Sequence, residues 1–250
     1  GAVELGVGAA ALAAAGLAVV GCGIALSYAL LLWPGVDRRL HASGAQTAFR
    51  FNTYVALALA GRLGGEVGVA SMALVISVCV PACNVAAVWP LARHGGHGYW
   101  RELSRNPLIS ATGTGLLGNL LGLQLPDLLN TTLSRIGAAA LPLGLMSVGA
   151  GLQLGALREG PRLASALMCI RHLLLPAVAL GLVMWLPLAP VQQAVLVAFA
   201  AMPTASSAYV LAVRMGGHAG FTAGLVTVST LIGMFALPLW LTLLRTVVQA

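Results

Sequence analysis

Long, uninterrupted apolar runs constrain this chain more than any other feature. We place eight of them at roughly 7–33, 46–61, 67–89, 107–125, 130–152, 163–186, 191–213 and 219–243. Only 8% of the 250 residues are charged, whereas a soluble domain carries about 25% charged residues. A membrane barrel needs alternating apolar and polar residues, so the continuous runs favour helices that span the bilayer. We therefore expect an all-α, multi-pass membrane protein.

The basic residues predict how the spans are oriented. All 13 are arginines. The first, third, fifth and seventh loops hold eight of them: Arg38, Arg39, Arg93, Arg101, Arg105, Arg158, Arg162 and Arg214. The even loops hold only Arg62, so the positive-inside rule makes the odd loops cytoplasmic. We attribute the net positive charge to this topology, and expect a bacterial-type inner (plasma) membrane as location and no nucleic-acid partner.

An internal repeat predicts the architecture. Residues 52–68 match residues 204–220 at seven of seventeen positions, including both glycines of a Gly-Gly pair. These stretches belong to segments two and seven, which lie an odd number of spans apart and so cross the membrane in opposite directions. This is typical of an inverted-repeat (5+5) transporter fold. The first copy shows three of its five spans, so we expect a ten-span protein whose first two spans are absent here; a natural eight-span protein is the alternative.

Both copies place polar residues in the middle of an apolar segment. Proline removes a backbone donor, and open backbone in hydrocarbon is tolerated where it lines a cavity or packs on protein. The residues concerned are Arg50, Asn52 and Thr53 in the first copy, and Pro203, Thr204, Ser206 and Ser207 in the second. Two broken helices in inverted copies would cross near the midplane and present positive helix N-termini to an anion, typically a carboxylate. A tolerated kink at Pro203 is the plainer alternative.

The runs 49-FRFNTYVALALA-60, 106-NPLISATGTGLLGNLLGL-123, 138-AAALPLGLMSVGAGL-152 and 201-AMPTASSAYVLA-212 resemble the auxin efflux carrier family, which includes bacterial malate and malonate permeases. The resemblance implies a transport domain, here residues 1–92 and 161–246, and a scaffold helix pair at 106–153 with a homodimer contact. It also implies a substrate site where two crossover helices meet. Plant members have a Pro-Asn pair at the first crossover, whereas here Phe51 precedes Asn52, so a less sharp break is expected.

Four further residues have two interpretations each. Arg50 is either a counter-ion for a carboxylate or a side chain that reaches the cytoplasmic interface. Asn84, within segment three, either binds a neighbouring helix or belongs to the site. Arg171 and His172 lie inside segment six, where an ionisable residue is either a helix–helix contact or a secondary site.

The carboxylates limit the possible functions. All six, Glu4, Asp37, Glu66, Glu102, Asp127 and Glu159, lie in or near loops. A cation/proton antiporter needs a buried carboxylate, so this alternative requires one in the absent spans. No catalytic dyad, metal-ligand spacing or nucleotide loop is visible, so we expect neither an enzyme nor a bound cofactor, with proton or sodium coupling left open. The sequence favours a secondary active transporter that moves a small organic anion, a mono- or dicarboxylate, by alternating access.

Overall fold

The computed structural model describes residues 7–94, 107–150 and 154–248, and every regular element in these ranges is helical. The helices are α1 (Val7–Ala29), α2 (Arg38–Gly44), α3 (Gln46–Phe49), α4 (Thr53–His94), α5 (Pro107–Leu120), α6 (Asp127–Ala150), α7 (Pro161–Cys169), α8 (Leu175–Trp185), α9 (Pro190–Ala201), α10 (Ser207–Arg214) and α11 (Ala219–Val248). Short 3₁₀ turns, Leu30–Leu32 and Leu154–Glu159, follow α1 and precede α7, and a π turn, Ile170–Leu174, joins α7 to α8. The all-α prediction is confirmed for these ranges.

Four helical stretches of the described residues are long and apolar enough to cross a membrane. They are Gly8–Leu32, Arg38–Arg93, Pro161–Trp185 and Ala219–Val248. The second of these contains a tight reversal, because Gly64 and Gly65 leave helical geometry inside α4. A Cβ at position 64 would lie 2.3 Å from Val191 Cγ1, and Gly65 has a φ of +57°. The chain is thus an integral membrane protein; the number of spans and the inverted repeat remain predictions.

The first interrupted segment begins earlier than the sequence predicted. We expected a loop up to residue 45, but residues 38–44 form α2, whose N-terminus is capped by Asp37. Asp37 Oδ1 accepts from the N–H groups of Arg39 and Leu40 at 2.8 and 2.9 Å. The prediction was wrong because polar residues of this segment bond internally: Ser43 donates to the Arg39 carbonyl and is fully buried.

The second interrupted segment lies at the centre of the protein. Every residue from Val195 to Ala201 in α9 is buried, and α9 packs against α1, α4, α8 and α11. Helices α5 and α6 lie at the periphery, where α5 contacts α4 and α6 contacts α11. Their described side chains are almost all exposed. This arrangement surrounds the helix break after Ala201 with the protein's own core.

Candidate functional site

The two helix interruptions meet inside the protein. The first lies at residues 50–52, between α3 and α4, and the second at residues 202–206, between α9 and α10. The backbone N–H of Asn52 donates to the carbonyl of Pro203 at 2.9 Å. Beside this bond, the rings of Phe51 and Phe199 pack edge to face, with centroids 4.4 Å apart. The two breaks therefore form one structural unit.

A polar cavity of about 160 Å³ lies at this junction. Six of the residues that the sequence singled out line it: Arg50, Asn52, Thr53, Asn84, Ser206 and Ser207. Phe51, Tyr54 and Cys83 also contribute to its wall. Residues far apart in the sequence thus converge on one small space, which brings together donors for a charged ligand in an otherwise apolar interior.

Arg50 carries the positive charge of this cavity. Its side chain is only 5% exposed, so it lies within the protein instead of reaching the interface. Nη1 donates to Gln46 Oε1 at 3.1 Å, and Nη2 donates to Ser207 Oγ at 2.8 Å. Both partners are neutral, and none of the described residues that line the cavity is acidic. The guanidinium is therefore held in place without a counter-charge from the lining.

Asn52 caps the first arm of α4. Its Oδ1 accepts from the N–H groups of Tyr54 and Val55, each at 3.2 Å. This is the ordinary role of an asparagine at a helix N-terminus. The sequence interpretation gave Asn52 only a ligand-binding role. Because the oxygen is used for the cap, the amide NH₂ group is the part of Asn52 left to face a ligand.

The second break opens towards the cavity with an uncapped helix. The side chain of Ser206, at the start of α10, makes no capping hydrogen bond. The N–H of Ser207 has no hydrogen-bond acceptor within the described part of the chain. Free N–H groups at a helix N-terminus favour a bound anion. The hydroxyls of Ser206 and Ser207 lie beside them.

Pro203 and Thr204 lie next to the cavity but do not line it. Pro203 contributes the carbonyl that binds Asn52, and its ring packs against Gly233, where a Cβ would lie 3.3 Å from the proline Cβ. Thr204 is 1% exposed, and its Oγ1 has no hydrogen-bond partner in the described structure. The backbone N–H of Thr204 donates to Ser229 Oγ at 2.9 Å. These two residues shape the break.

Arg171 and His172 stabilise the second break without lining the cavity. Arg171, 1% exposed, donates from Nε to the Met202 carbonyl at 2.7 Å and from Nη2 to the Phe199 carbonyl at 3.3 Å. His172 Nε2 lies 2.8 Å from Ser229 Oγ. Both residues belong to the π turn, and such turns are frequent at functional sites. Neither residue lines the cavity.

Two residues that position the site were missed from the sequence. Gln46 accepts from Arg50 and donates from Nε2 to the Ala208 carbonyl at 3.1 Å, which ties α3 to α10. Ser229 joins α11 to both Thr204 and His172. A single glutamine or serine in an apolar segment gives no signal of such a contact. The position of Gln46 one helical turn before Arg50 is the only pattern that could have suggested its role.

The described elements are all helical, four helical stretches are long enough to span a membrane, and a cavity lies between two interrupted helices. This combination is typical of membrane transporters. A sequence model of the family described as "Membrane transport protein" matches residues 65–241, which is more than half of the chain. The chain belongs to this family, the auxin efflux carrier family. The matched range includes the second break, whereas the first break lies before it.

One relative is a protein of Methanothermobacter thermautotrophicus described as an uncharacterized transporter. It is 31% identical over 126 residues, which make up 50% of this chain and 41% of that protein. The chain therefore matches less than half of the relative's length. Membership of this family supports a membrane transporter and argues against an enzyme.

Proposed function

We propose that this protein is a secondary active transporter that moves a small organic anion, a mono- or dicarboxylate, across a bacterial-type inner membrane. The observation that carries the proposal is Arg50, a buried cation in the cavity where the two helix breaks meet. Its two side-chain partners, Gln46 and Ser207, are neutral. A buried charge without a counter-ion is costly by several kcal/mol, and a carboxylate ligand offsets that cost.

The remaining donors fit the same ligand. The Asn52 amide, the hydroxyls of Thr53 and Ser206 and the open N–H of Ser207 surround the cavity with neutral groups. Preorganised donors of this kind bind a carboxylate without adding further charge. The cavity of about 160 Å³ favours a compact substrate. A cation/proton antiporter is the alternative, but within residues 7–94, 107–150 and 154–248 no carboxylate lines this cavity to hold its cation.

The proposed mechanism is alternating access with the two broken helices as crossover helices. The transport domain, residues 1–92 and 161–246, would carry the anion past a scaffold that includes α5 and α6. The scaffold pair, residues 106–153, would also form the contact of a homodimer. Arg171 and Ser229 hold the second break from within the same domain, so the site can travel as a rigid unit. Proton or sodium coupling is compatible with this scheme.

The test is carboxylate counterflow by the full-length protein in liposomes. Labelled mono- and dicarboxylates would be exchanged by wild type, Arg50→Gln, Arg50→Lys and Arg62→Gln. Arg62 is an exposed arginine, so Arg62→Gln removes the same charge away from the cavity. We expect saturable exchange by wild type and Arg62→Gln. Arg50→Gln should reduce kcat/KM about 100-fold, since a buried charged hydrogen bond contributes about 1.5–3 kcal/mol and the cation also balances the anion.

The kcat/KM of Arg50→Lys should lie between those of wild type and Arg50→Gln, because lysine retains the charge but lacks the planar guanidinium with its several fixed N–H donors. Equal exchange by wild type and Arg50→Gln would contradict the anion site. Cation-dependent pH changes in the liposomes, with no carboxylate exchange, would support the antiporter alternative.

A further inference from the structure

A second and larger cavity lies apart from the candidate transport site. Its volume is about 440 Å³, and it lies between the end of α1, the start of α2 and the end of α4. Its polar and aromatic lining residues are Tyr28, Arg38, His41, Trp89 and Arg93. It shares no lining residue with the cavity at the helix breaks. Neither the family match nor the proposed transport mechanism assigns it a role.

The charge of this cavity is positive and is not balanced by its lining. Arg38 and Arg93 both contribute to it, and no acidic residue of the described part of the chain does. Asp37, next to Arg38 in the sequence, is used to cap α2 and lines a different cavity. The ion pair found among the described residues is formed elsewhere, by His218 and Glu159. Two guanidinium groups therefore face one space without a carboxylate.

The other polar groups of the lining already have partners. The hydroxyl of Tyr28 donates to the Ala86 carbonyl. His41 Nε2 lies 2.8 Å from the Ser27 carbonyl, which can only accept, so this nitrogen carries the proton. The two arginines, each with five N–H donors, are thus the groups available to an anion. Their planar forks match the oxygens of a phosphate.

Two features favour a position of this cavity at the membrane surface. Arg38 begins α2 and Arg93 lies at the end of α4. The arginine distribution assigns both to the same, cytoplasmic side, and they line one cavity. Trp89 lines it and is 46% exposed, while Trp33, beyond the end of α1, is 49% exposed. Tryptophan is enriched at the level of the lipid headgroups, so these two rings favour a position of the cavity at that level.

We propose that this cavity binds a phosphate group at the membrane surface, with the headgroup of an anionic phospholipid as its source. The phosphate lies between Arg38 and Arg93, and the aromatic rings of Tyr28 and Trp89 form the wall. The occupant ties the ends of α1, α2 and α4 together. This inference does not depend on the identity of the transported substrate.

Native mass spectrometry of the full chain tests this site. The protein would be titrated with phosphatidylglycerol and with phosphatidylcholine, and separately challenged with inorganic phosphate. Arg38→Gln/Arg93→Gln removes the two cavity arginines. Arg39→Gln/Arg158→Gln is the matched control, because it removes two exposed arginines of the same predicted side that do not line the cavity.

We expect one saturable phosphatidylglycerol per chain, bound at least about tenfold more weakly by Arg38→Gln/Arg93→Gln and within about twofold of wild type by the control. Retention of phosphatidylglycerol in the presence of millimolar inorganic phosphate supports the lipid as source. Displacement by inorganic phosphate, with the same dependence on the two arginines, supports the phosphate site with a soluble ligand. Equal losses of phosphatidylglycerol in the two double variants would overturn the site in favour of general surface charge. Binding of phosphatidylcholine by wild type as tightly as phosphatidylglycerol would overturn the preference for an anionic headgroup.

Discussion

The two interrupted helices occupy matching places in the predicted repeat, but they are built differently. The first break is short, spans residues 50–52 and carries its own cap through Asn52. The second break spans residues 202–206, has no side-chain cap on α10, and is held by Arg171 and Ser229 from neighbouring helices. One copy thus supplies the charge of the site, and the other supplies open backbone that the surrounding core keeps in place.

The glycine pairs show the same divergence on a smaller scale. Gly64-Gly65 and Gly216-Gly217 occupy matching positions after the two breaks. A positive φ occurs at the second glycine of the first pair and at the first glycine of the second pair, +57° and +67°. Both pairs allow the chain to turn into the next helix, by different local geometry. Residues that match in the predicted repeat can therefore differ in backbone conformation.

The largest expected effect is loss of the external support of the second break. Arg171→Met should lower the free energy of unfolding by about 3 kcal/mol, because the buried Met202 carbonyl loses its donor and the Phe199 carbonyl keeps only the N–H of Met202. Unfolding in detergent, followed by helical circular dichroism, measures this change. Arg62→Met, at an exposed arginine, is the control and should stay within about 0.5 kcal/mol of wild type. Similar losses in both variants would show that Arg171 does not hold the break.

The next effect in size concerns the link from α11 to the break. Ser229→Ala should cost about 1–3 kcal/mol, because the N–H of Thr204 and the ring of His172 lose a buried partner. Thr230→Ala is the neighbouring control. The Thr230 hydroxyl bonds the Val226 carbonyl of its own helix at 2.8 Å, so its loss should cost little. The same unfolding measurement distinguishes them, and a Thr230→Ala cost as large as that of Ser229→Ala would contradict the role of the link.

The sequence predicted the location of both breaks but not what supports them. Pro203 marks the second break because its ring cannot continue a regular helix. The hydroxyl and amide side chains within an apolar run predicted a polar site inside the protein. The donors that hold the break come from residues 171 and 229, and no local pattern encodes a contact between distant helices. The early start of α2 was missed because its polar residues resemble a loop in sequence, whereas Ser43 bonds the Arg39 carbonyl of its own helix.

A smaller effect on stability separates the two roles of Asn52. Asn52→Ala removes the cap of α4 and should cost about 1 kcal/mol. Asn52→Asp keeps the capping oxygen, so the stability should remain close to that of wild type. It replaces the NH₂ donor by a carboxylate that repels an anion, and carboxylate counterflow should fall at least tenfold. Full exchange by Asn52→Asp would exclude contact between this side chain and an anionic substrate.

The smallest effect compares the two serines of the second break. Both line the cavity, but only Ser207 bonds Arg50, at 2.8 Å. Ser207→Ala should raise the KM for the carboxylate about threefold, because Arg50 loses one of the two groups that orient it and keeps Gln46. Ser206→Ala should change KM by less, since it removes a neutral hydroxyl and leaves the guanidinium held. The reverse order would mean that the Ser206 hydroxyl contributes more to anion binding than the bond by which Ser207 orients Arg50. The two breaks would then differ in how their backbone is held, and not in how much each contributes to anion binding.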